Sequence, residues 1–470
     1  MSLNDSPPRK KSGFRAALEF TGIPPSWFDK RPRLPSRNWL IFLSVTQSFV
    51  AFYVYDRHQS KKIRQEYVDK VKHLAAEPLH SLDFPRTVTV YSAKWPGDDD
   101  WDRGSRYFRK YVKPIFVAAA VDYTVVAGKR HGDLATRVAN DIKTERRIAL
   151  GLEAPQQSLL APSIKGTLDA RRRRALDGGT VIVGRPAFKE YMAGLRRGWT
   201  DSLELVDKDE QLSRELESDG HFDEPETSSS LDPSSTSSSS ADFADGEPLP
   251  TPSRLPPSRA VPGLFPPLSA VRPSSPSTSA PAQTRDAGAD VSPPAQIPPQ
   301  PPLLLVPFVN LVGIKLVPLM IWDFFNERQK VRAGAEAAYR LVSRATRPLE
   351  RAADIVDFDV SAESYYKSST AAFPAEVQKA RAEYYKTLPE KLATARALAR
   401  GEREPTKLEI EAPPPTEVEL RAERLKKETR WKADERGWNL VSPDTPVEWD
   451  ERWEGGALEV FVDPPESHWE

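Results

Sequence analysis

Seventeen consecutive residues near the start, WLIFLSVTQSFVAFYVY (39–55), carry no charge, and this run constrains the fold more than any other stretch. Trp39 stands at one end, with Tyr53 and Tyr55 at the other. Between them lie Leu40, Ile41, Phe42, Leu43, Val45, Phe49, Val50, Phe52 and Val54. At about 1.5 Å per helical residue the run reaches roughly 25 Å, close to a bilayer core of about 30 Å. Lys30, Arg31, Arg33 and Arg37 precede it, and Arg57, Lys61, Lys62 and Arg64 follow. Slight thinning of the bilayer, or snorkelling by Arg37 and Arg57, closes the remaining gap. Indole and phenol rings favour the headgroup boundary, which suits both ends. These twelve apolar and aromatic residues are the candidate transmembrane anchor. The competing reading is a buried helix of a soluble protein, and Ser44, Thr46, Gln47 and Ser48 in mid-run suit it.

The rest of the composition excludes more than it assigns. Basic and acidic side chains balance at 67 each, so no global field points to nucleic acid. Without cysteine there is no disulfide framework, thiolate metal site or cysteine nucleophile. The six histidines (58, 73, 80, 131, 221 and 468) form no i, i+4 pair.

Residues 1–38 form a basic arm with eight Lys/Arg against three Asp/Glu. RKKSGFRAALEF within it reads either as a mitochondrial targeting segment or as a plain juxtamembrane arm. Positive charge on both sides of the span gives orientation only a weak bias, toward an N-terminus on the matrix or cytosolic side. Residues 58–77 read as a helix leaving the membrane, with Ile63, Tyr67, Val71 and Leu74 on one stripe. Then the period changes. RTVTVYSA (86–93) alternates as a strand, 105–112 is a helix, and FVAAAVDYTVVAG (116–128) reads as a buried strand or as one with an irregular start. Residues 129–152 form a helix with Leu134, Val138, Ile142 and Ile148 inward, followed by the strand GTVIVG (179–184) and the helix 185–199. Such alternation predicts a layered α/β unit with a mostly parallel sheet.

Residues 201–247 carry 15 acidic and two basic side chains, and residues 221–302 hold 19 of the 45 prolines. A segment so poor in apolar area cannot offset its chain entropy, so 201–301 reads as a disordered insertion. The second apolar run, LLLVPFVNLVGIKLVPLMIWDFFNERQK (303–330), competes as another span. Pro307, Pro318, Asn310, Lys315 and Asp323 argue against that, a central Lys alone costing roughly 2.5–3.5 kcal/mol. The preferred reading is a strand (303–309), a loop and one long amphipathic helix with Ile321, Phe324, Val331, Ala335, Ala338 and Val342 on its stripe. That strand rejoins the first sheet across the insertion. Further on come a helix near 374–400 broken by Pro389, a charged helix from Thr416, and a strand in ALEVFV. Trp431, Trp438, Trp449, Trp453 and Trp469 read as packing anchors on the protein's own surface or as docking groups for a partner.

No phosphate loop, H-E-x-x-H helix or G-x-S-x-G elbow occurs. AGKRHGD (127–133), between a strand and a helix N-terminus, is the closest approach to an anion site, but it reads as ordinary turn chemistry first. Asp98, Asp99 and Asp100 read as a solvated turn before a cation site, and Arg171 to Arg174 as a solvated loop before a lipid contact. No catalytic residue, cofactor site or metal site is assigned.

Several blocks, in order, resemble one fungal family. They are GIPPSWFDKRPRLPSRNWLIFLSVTQSFVAFYVYDR, KPIFVAAAVDY with GKRHGDLATRVANDI, GGTVIVGRPAFKEYMAGLRRGW, and PFVNLVGIKLVPLMIWDFFNERQKVRAGAEAAY. The family is that of the fifty-four-kilodalton Tim subunit of the mitochondrial inner-membrane carrier translocase, the TIM twenty-two complex. The resemblance covers about residues 20–200 and 303–350, and the Ser/Pro insertion departs from it. It implies one N-terminal helix in the inner membrane, the N-terminus in the matrix and the bulk of the chain in the intermembrane space. It implies a non-enzymatic role in inserting multispanning carriers. The implied partners are the channel-forming and other membrane subunits, the small Tim chaperones, carrier precursors, membrane lipid and the inner-membrane AAA protease. It supplies no catalytic residues.

The expected organisation is a basic arm (1–38), a transmembrane helix (39–55), an α/β domain in two parts (58–200 and 302–346) around the insertion (201–301), and a helical, Trp-rich extension (347–470). Two alternatives remain at this stage: a scaffold for assembly of the AAA protease, and a membrane-anchored enzyme using a nucleotide or lipid phosphate near Gly128–Asp133.

Overall fold

The computed structural model describes residues 36–78, 85–153, 168–203, 208–223, 292–367 and 372–463. The chain divides into two units, residues 1–206 with 292–470, and residues 207–291. The N-terminal arm before residue 36, most of the predicted insertion, and Trp469 lie outside the described residues.

Helix α1 (Arg37–Val71) runs through the uncharged stretch and on into the domain, ending in a 3-10 turn (Lys72–Ala76). Then come β1 (Thr87–Ser92), α2 (Arg103–Tyr111), α3 (Lys113–Ala118) and β2 (Asp122–Ala127). Helix α4 (Asp133–Ala149), α5 (Leu168–Gly178), β3 (Thr180–Val183) and α6 (Arg185–Thr200) follow. Helix α7 (Lys208–Glu217) belongs to the second unit. The first unit resumes with β4 (Leu303–Val306), a 3-10 turn (Ile314–Leu316), α8 (Val317–Phe325), α9 (Glu327–Ser343) and β5 (Thr346–Pro348). Its last elements are α10 (Ala353–Val356), α11 (Ala372–Ala399), α12 (Lys407–Glu411), α13 (Glu417–Val441) and β6 (Glu459–Phe461).

The six strands form one mixed sheet in the order β2-β1-β3-β4-β6-β5. Neighbours are parallel except β5 and β6. Strand β4 pairs with β3 in register, Thr180 beside Leu303 and Val183 beside Val306, so the chain returns to the same sheet across the insertion. Every residue of β3 is buried, as a central strand covered on both faces requires. Val88, Val90, Val181, Val183, Leu304 and Val306 point to one face, under α2, α3 and α9. Ile182 and Leu303 point to the other, under α4 and α6. This is the layered α/β architecture that the alternating periods imply.

Helices α4 and α6 touch through small residues. A Cβ on Gly194 would stand 2.7 Å from the Ala135 carbonyl oxygen, so only glycine lets the two backbones approach this closely. Helices α11 and α13 form a hairpin, with Arg396–Glu417 near the turn and Tyr384 against Trp431 further along. Thr416 and Glu419 close a capping box at the start of α13. Its far end returns to the sheet domain, where Leu440 and Val441 pack on Ala135 and Ala193.

Three expectations are corrected. The strand in 116–128 is not buried: after an irregular start, in which Pro114 opens a helical turn burying Ile115 and Phe116 and Ala120 (φ 54°) turns the chain, β2 is a half-exposed edge strand. The helix near 374–400 is not broken at Pro389, because Tyr384, Leu388 and Leu392 bury one continuous face across it. The long helix after 309 is two helices, interrupted at Asn326 (φ −122°, ψ 35°). Val331, Ala335, Ala338 and Val342 are core residues of α9, whereas Ile321 and Phe324 of α8 are exposed.

The glycine contact makes a prediction. Gly194→Ala forces α4 and α6 apart and lowers unfolding stability by about 1–3 kcal/mol, read as an earlier denaturation midpoint of the detergent-solubilised chain.

Candidate membrane-anchoring site

Helix α1 changes character at residue 56. None of residues 39–55 is buried by the protein, whereas Asp56, Ser60, Ile63 and Val71 are. Among the described residues, the helix with its terminal turn, Arg37–Ala76, is the one long and apolar enough to cross a membrane. The twelve candidate anchor residues, Trp39 through Tyr55, all lie exposed on its N-terminal half. The mid-run hydroxyls are satisfied within the helix. Ser44 donates to the Ile41 carbonyl (2.9 Å), Thr46 to Phe42 (2.8 Å) and Ser48 to Ser44 (2.8 Å). Such bonds remove most of the cost of placing a hydroxyl among acyl chains, so these residues are compatible with a span.

The exit from this segment is locked to the folded domain. The Asp56 carboxylate, only 1% exposed, accepts the backbone amides of Glu327 (3.1 Å) and Arg328 (3.3 Å). It thereby supplies, from a distant part of the chain, the acceptor that the N-terminus of α9 needs. Glu327, itself buried, pairs with Arg57 and Lys110 and accepts from the Tyr111 hydroxyl (3.0 Å). The Arg57 guanidinium lies over Tyr53 (4.9 Å) and Phe324 (5.5 Å), and Arg328 lies over Tyr55 (5.7 Å). Below the collar, Phe325 meets Phe49 (5.8 Å) and Phe52 (5.9 Å), and Phe324 stacks on Tyr53 (5.3 Å). Above it, Ile63 packs with Tyr111 and Val331, and Val71 enters the main core. The predicted stripe of Ile63, Tyr67 and Val71 is therefore the face by which α1 holds the domain.

The sequence singled out other groups, and the structure gives them partners. Asp98 accepts from Arg103 (3.2 Å) and Asn310 (2.6 Å), and Asp100 pairs with Arg106 (2.8 Å), so the aspartate turn is tied to α2 and the β4 loop. Among the described residues no group of His, Cys, Asp and Glu could hold a metal ion. Residues 171–174 are not a loop but part of helix α5, where Arg172 and Arg173 are exposed; the Arg171 side chain lies outside the described residues. Trp431, Trp438 and Trp453 are buried, and Trp449 packs against Trp453 (5.2 Å), so these four are the protein's own packing anchors.

The proposed anion site at residues 127–133 is filled from within. The amide of Leu134, at the N-terminus of α4, donates to Glu190 (3.0 Å). Lys129 N–H donates to Asp133 (3.1 Å). His131 is buried between Phe373 (5.4 Å) and Trp438 (5.4 Å), and burial pushes its pKa down to about 4. Gly437 of α13 covers the loop so closely that a Cβ there would lie 1.8 Å from the His131 carbonyl oxygen. Around the carboxyl ends of β1, β3 and β4, where open α/β sheets usually hold ligands, aromatic rings and ion pairs pack on the sheet, and a cavity of about 610 Å³ lies beyond them beside Asp98, Phe308 and Asn310. Trp95 meets Phe308 (5.5 Å) and Tyr366 (5.2 Å) there. Beside them Arg185 and Lys189 both reach Glu363, at 2.8 and 2.7 Å. Lys189 also donates to the Ser442 carbonyl (2.7 Å). Arg185, Lys189 and Glu190 gave no sequence signal of this role, since charges in a helical period ordinarily mark a solvated face.

A sequence model of the family described as inner membrane protein import complex subunit Tim54 matches residues 16–388. The mitochondrial import inner membrane translocase subunit TIM54 of Cryptococcus neoformans var. neoformans serotype D is 40% identical over 463 residues, 98% of this chain and 96% of that protein. The subunit of the same name from Aspergillus oryzae is 39% identical over 37% of this chain and 40% of its own length. That of Yarrowia lipolytica is 31% identical over 43% of this chain and 46% of its own.

Two measurements check the site. Asp56→Ala leaves the Glu327 and Arg328 amides without their acceptor; hydrogen exchange at both rises, and stability falls by about 1–2 kcal/mol. Burial raises the Glu190 pKa to about 8 against the backbone amides that favour its charge. Between about pH 4.5 and 8 the unfolded chain has released this proton and the native chain keeps it, so stability falls as pH rises through that window. Glu190→Gln flattens the decline in melting temperature between about pH 6 and pH 8.

Proposed function

The chain belongs to the Tim54 family of inner membrane protein import complex subunits, and on that premise we propose that it is a non-enzymatic subunit of the mitochondrial carrier translocase. In this reading residues 39–55 cross the inner membrane once, with the N-terminus in the matrix and the α/β domain in the intermembrane space. The domain is a docking scaffold. It holds small Tim chaperones and their carrier cargo near the channel-forming and other membrane subunits while multispanning proteins are inserted. Assembly with the inner-membrane AAA protease is a further role of the same scaffold.

The observation that carries this reading is the abrupt change in α1, bare over its uncharged half and locked into the domain from Asp56 onward. A helix of this kind fixes a folded body beside a membrane. The α4 N-terminus, covered by Glu190, and the Arg185–Glu363 pair at the end of β3 support a scaffold over an enzyme built at those two points of the sheet. The basic arm before the span supports the orientation, as a weak bias toward an N-terminus in the matrix.

In mitochondria, carbonate washing leaves the chain in the membrane pellet. A C-terminal tag is protected from protease in intact mitochondria and digested once the outer membrane is ruptured. Depletion of the chain reduces insertion of carrier precursors, and a crosslinker on the domain captures small Tim chaperones. Extraction by carbonate overturns the anchor, a tag protected after rupture overturns the orientation, and normal carrier insertion after depletion overturns the role.

A further inference from the structure

Outside residues 39–55, the exposed large apolar side chains concentrate on one segment of the first unit. Ile314 is 91% exposed and Trp322 61%, with Leu319, Ile321 and Phe324 beside them. No residue of α8 is buried, although the segment 311–325 carries only two charges, Lys315 and Asp323. A contiguous face of this kind marks a contact surface.

Depth identifies what covers it. Helix α8 does not stand off from α1 but lies along its last turns, with Phe325 on Phe49 and Phe52 and Phe324 on Tyr53. Phe49 precedes Tyr55 by six residues, about 9 Å along a helix. Helices that lie in a membrane surface sink about 5–10 Å below the headgroup boundary. Helix α8 is therefore level with the part of α1 that the span reading places in the outermost acyl region.

Charge agrees with depth. Asp323 is paired with Lys330 (2.8 Å). A cavity of about 610 Å³ opens beside α8, lined by Arg57, Arg103, Arg106, Lys110 and Lys330 together with the carboxylates Asp98, Asp323 and Glu327. The charged side chains beside α8 are paired with one another, Arg57 and Lys110 with Glu327 and Arg103 with Asp98, and lie off its apolar face, as the polar layer over acyl chains requires.

We propose that residues 312–325, α8 with the turn before it, form a second membrane contact, a short helix embedded in the leaflet where α1 ends and resting on α1. The inference depends on residues 39–55 being a span. It adds that the domain is tied to the bilayer at two points, so that it cannot swivel freely about α1.

The absence of cysteine permits a clean test. Single-cysteine variants of the full chain, Ile321→Cys, Trp322→Cys, Thr46→Cys and Val418→Cys, carry an environment-sensitive fluorophore in nanodiscs of phosphatidylcholine, phosphatidylethanolamine and cardiolipin. Position 418 lies on α13 and is 77% exposed. The expected result is blue-shifted emission at 321 and 322, with quenching by shallow acyl-chain nitroxides roughly threefold greater than at 418. Thr46 reports on the span itself. If 46 is quenched by lipid nitroxide while 321 and 322 are quenched by aqueous iodide like 418, the inference fails and the span stands. If 46 is not quenched by lipid, the span fails and the inference with it. Shielding of 321 and 322 from both quenchers assigns the face to a protein contact and overturns the inference.

Discussion

One carboxylate, Asp56, joins the two solvents this chain inhabits in the proposed reading. It stands one residue beyond the uncharged run, yet its oxygens take the first amides of α9, more than 270 residues away in sequence. The N-terminus of a helix presents unpaired N–H groups and partial positive charge, and a buried carboxylate is their strongest complement. Glu327 is then held by Arg57, Lys110 and Tyr111. Buried ion pairs lose much of their attraction to desolvation, so the chief effect of this cluster is positional. It fixes the level of α9 along α1. Because α1 continues as one 35-residue helix, roughly 50 Å long, the tilt of its bare half is transmitted to the domain as to a rigid rod.

The sheet tolerates a long excursion between β3 and β4 for a related reason. Four residue pairs in register, all but Leu305 fully buried, define where β4 must return. Closing a longer loop costs little more than closing a short one, because the entropic penalty grows only with the logarithm of length. The fold therefore depends on the buried β3–β4 seam rather than on the sequence that connects its two sides.

Periodicity made much of this legible. Alternation in TVTVYS and the continuous apolar runs TVIV and LLLV identified three parallel strands, and the i, i+3, i+4 spacing of Leu134, Val138 and Ile142 identified the inward face of α4. What period could not show was interruption and environment. The break at Asn326 leaves apolar residues on both sides at nearly helical spacing, so α8 and α9 read as one stripe. Hydropathy likewise does not say whether Ile321 enters the core; the structure leaves it exposed, on a helix whose Phe324 and Phe325 lie against Tyr53, Phe49 and Phe52 of α1. Strand β5, three exposed residues paired with β6, has no apolar pattern to read.

The buried charges were hidden for a different reason. Arg185, Lys189 and Glu190 occupy a helix in which every position from Arg185 to Leu195 is buried. The second layer that covers them comes from far along the chain: Glu363 after α10, Ser442 at the end of α13, and the Gly437 contact with the α4 loop. A charge pattern in one helix cannot reveal a cover supplied by segments more than 170 residues downstream. That cover also bears on residues 127–133, where a strand, a basic loop and a helix N-terminus offered a weak anion-site reading beside the preferred one of an ordinary turn. The N-terminus does have an acid beside it, but it is Glu190, and its burial is what keeps the proton on it near neutrality. At the end of β3 and at the α4 N-terminus, Arg185, Lys189 and Glu190 fasten the later segments to the sheet, and a domain fastened in this way is suited to presenting a fixed outer surface.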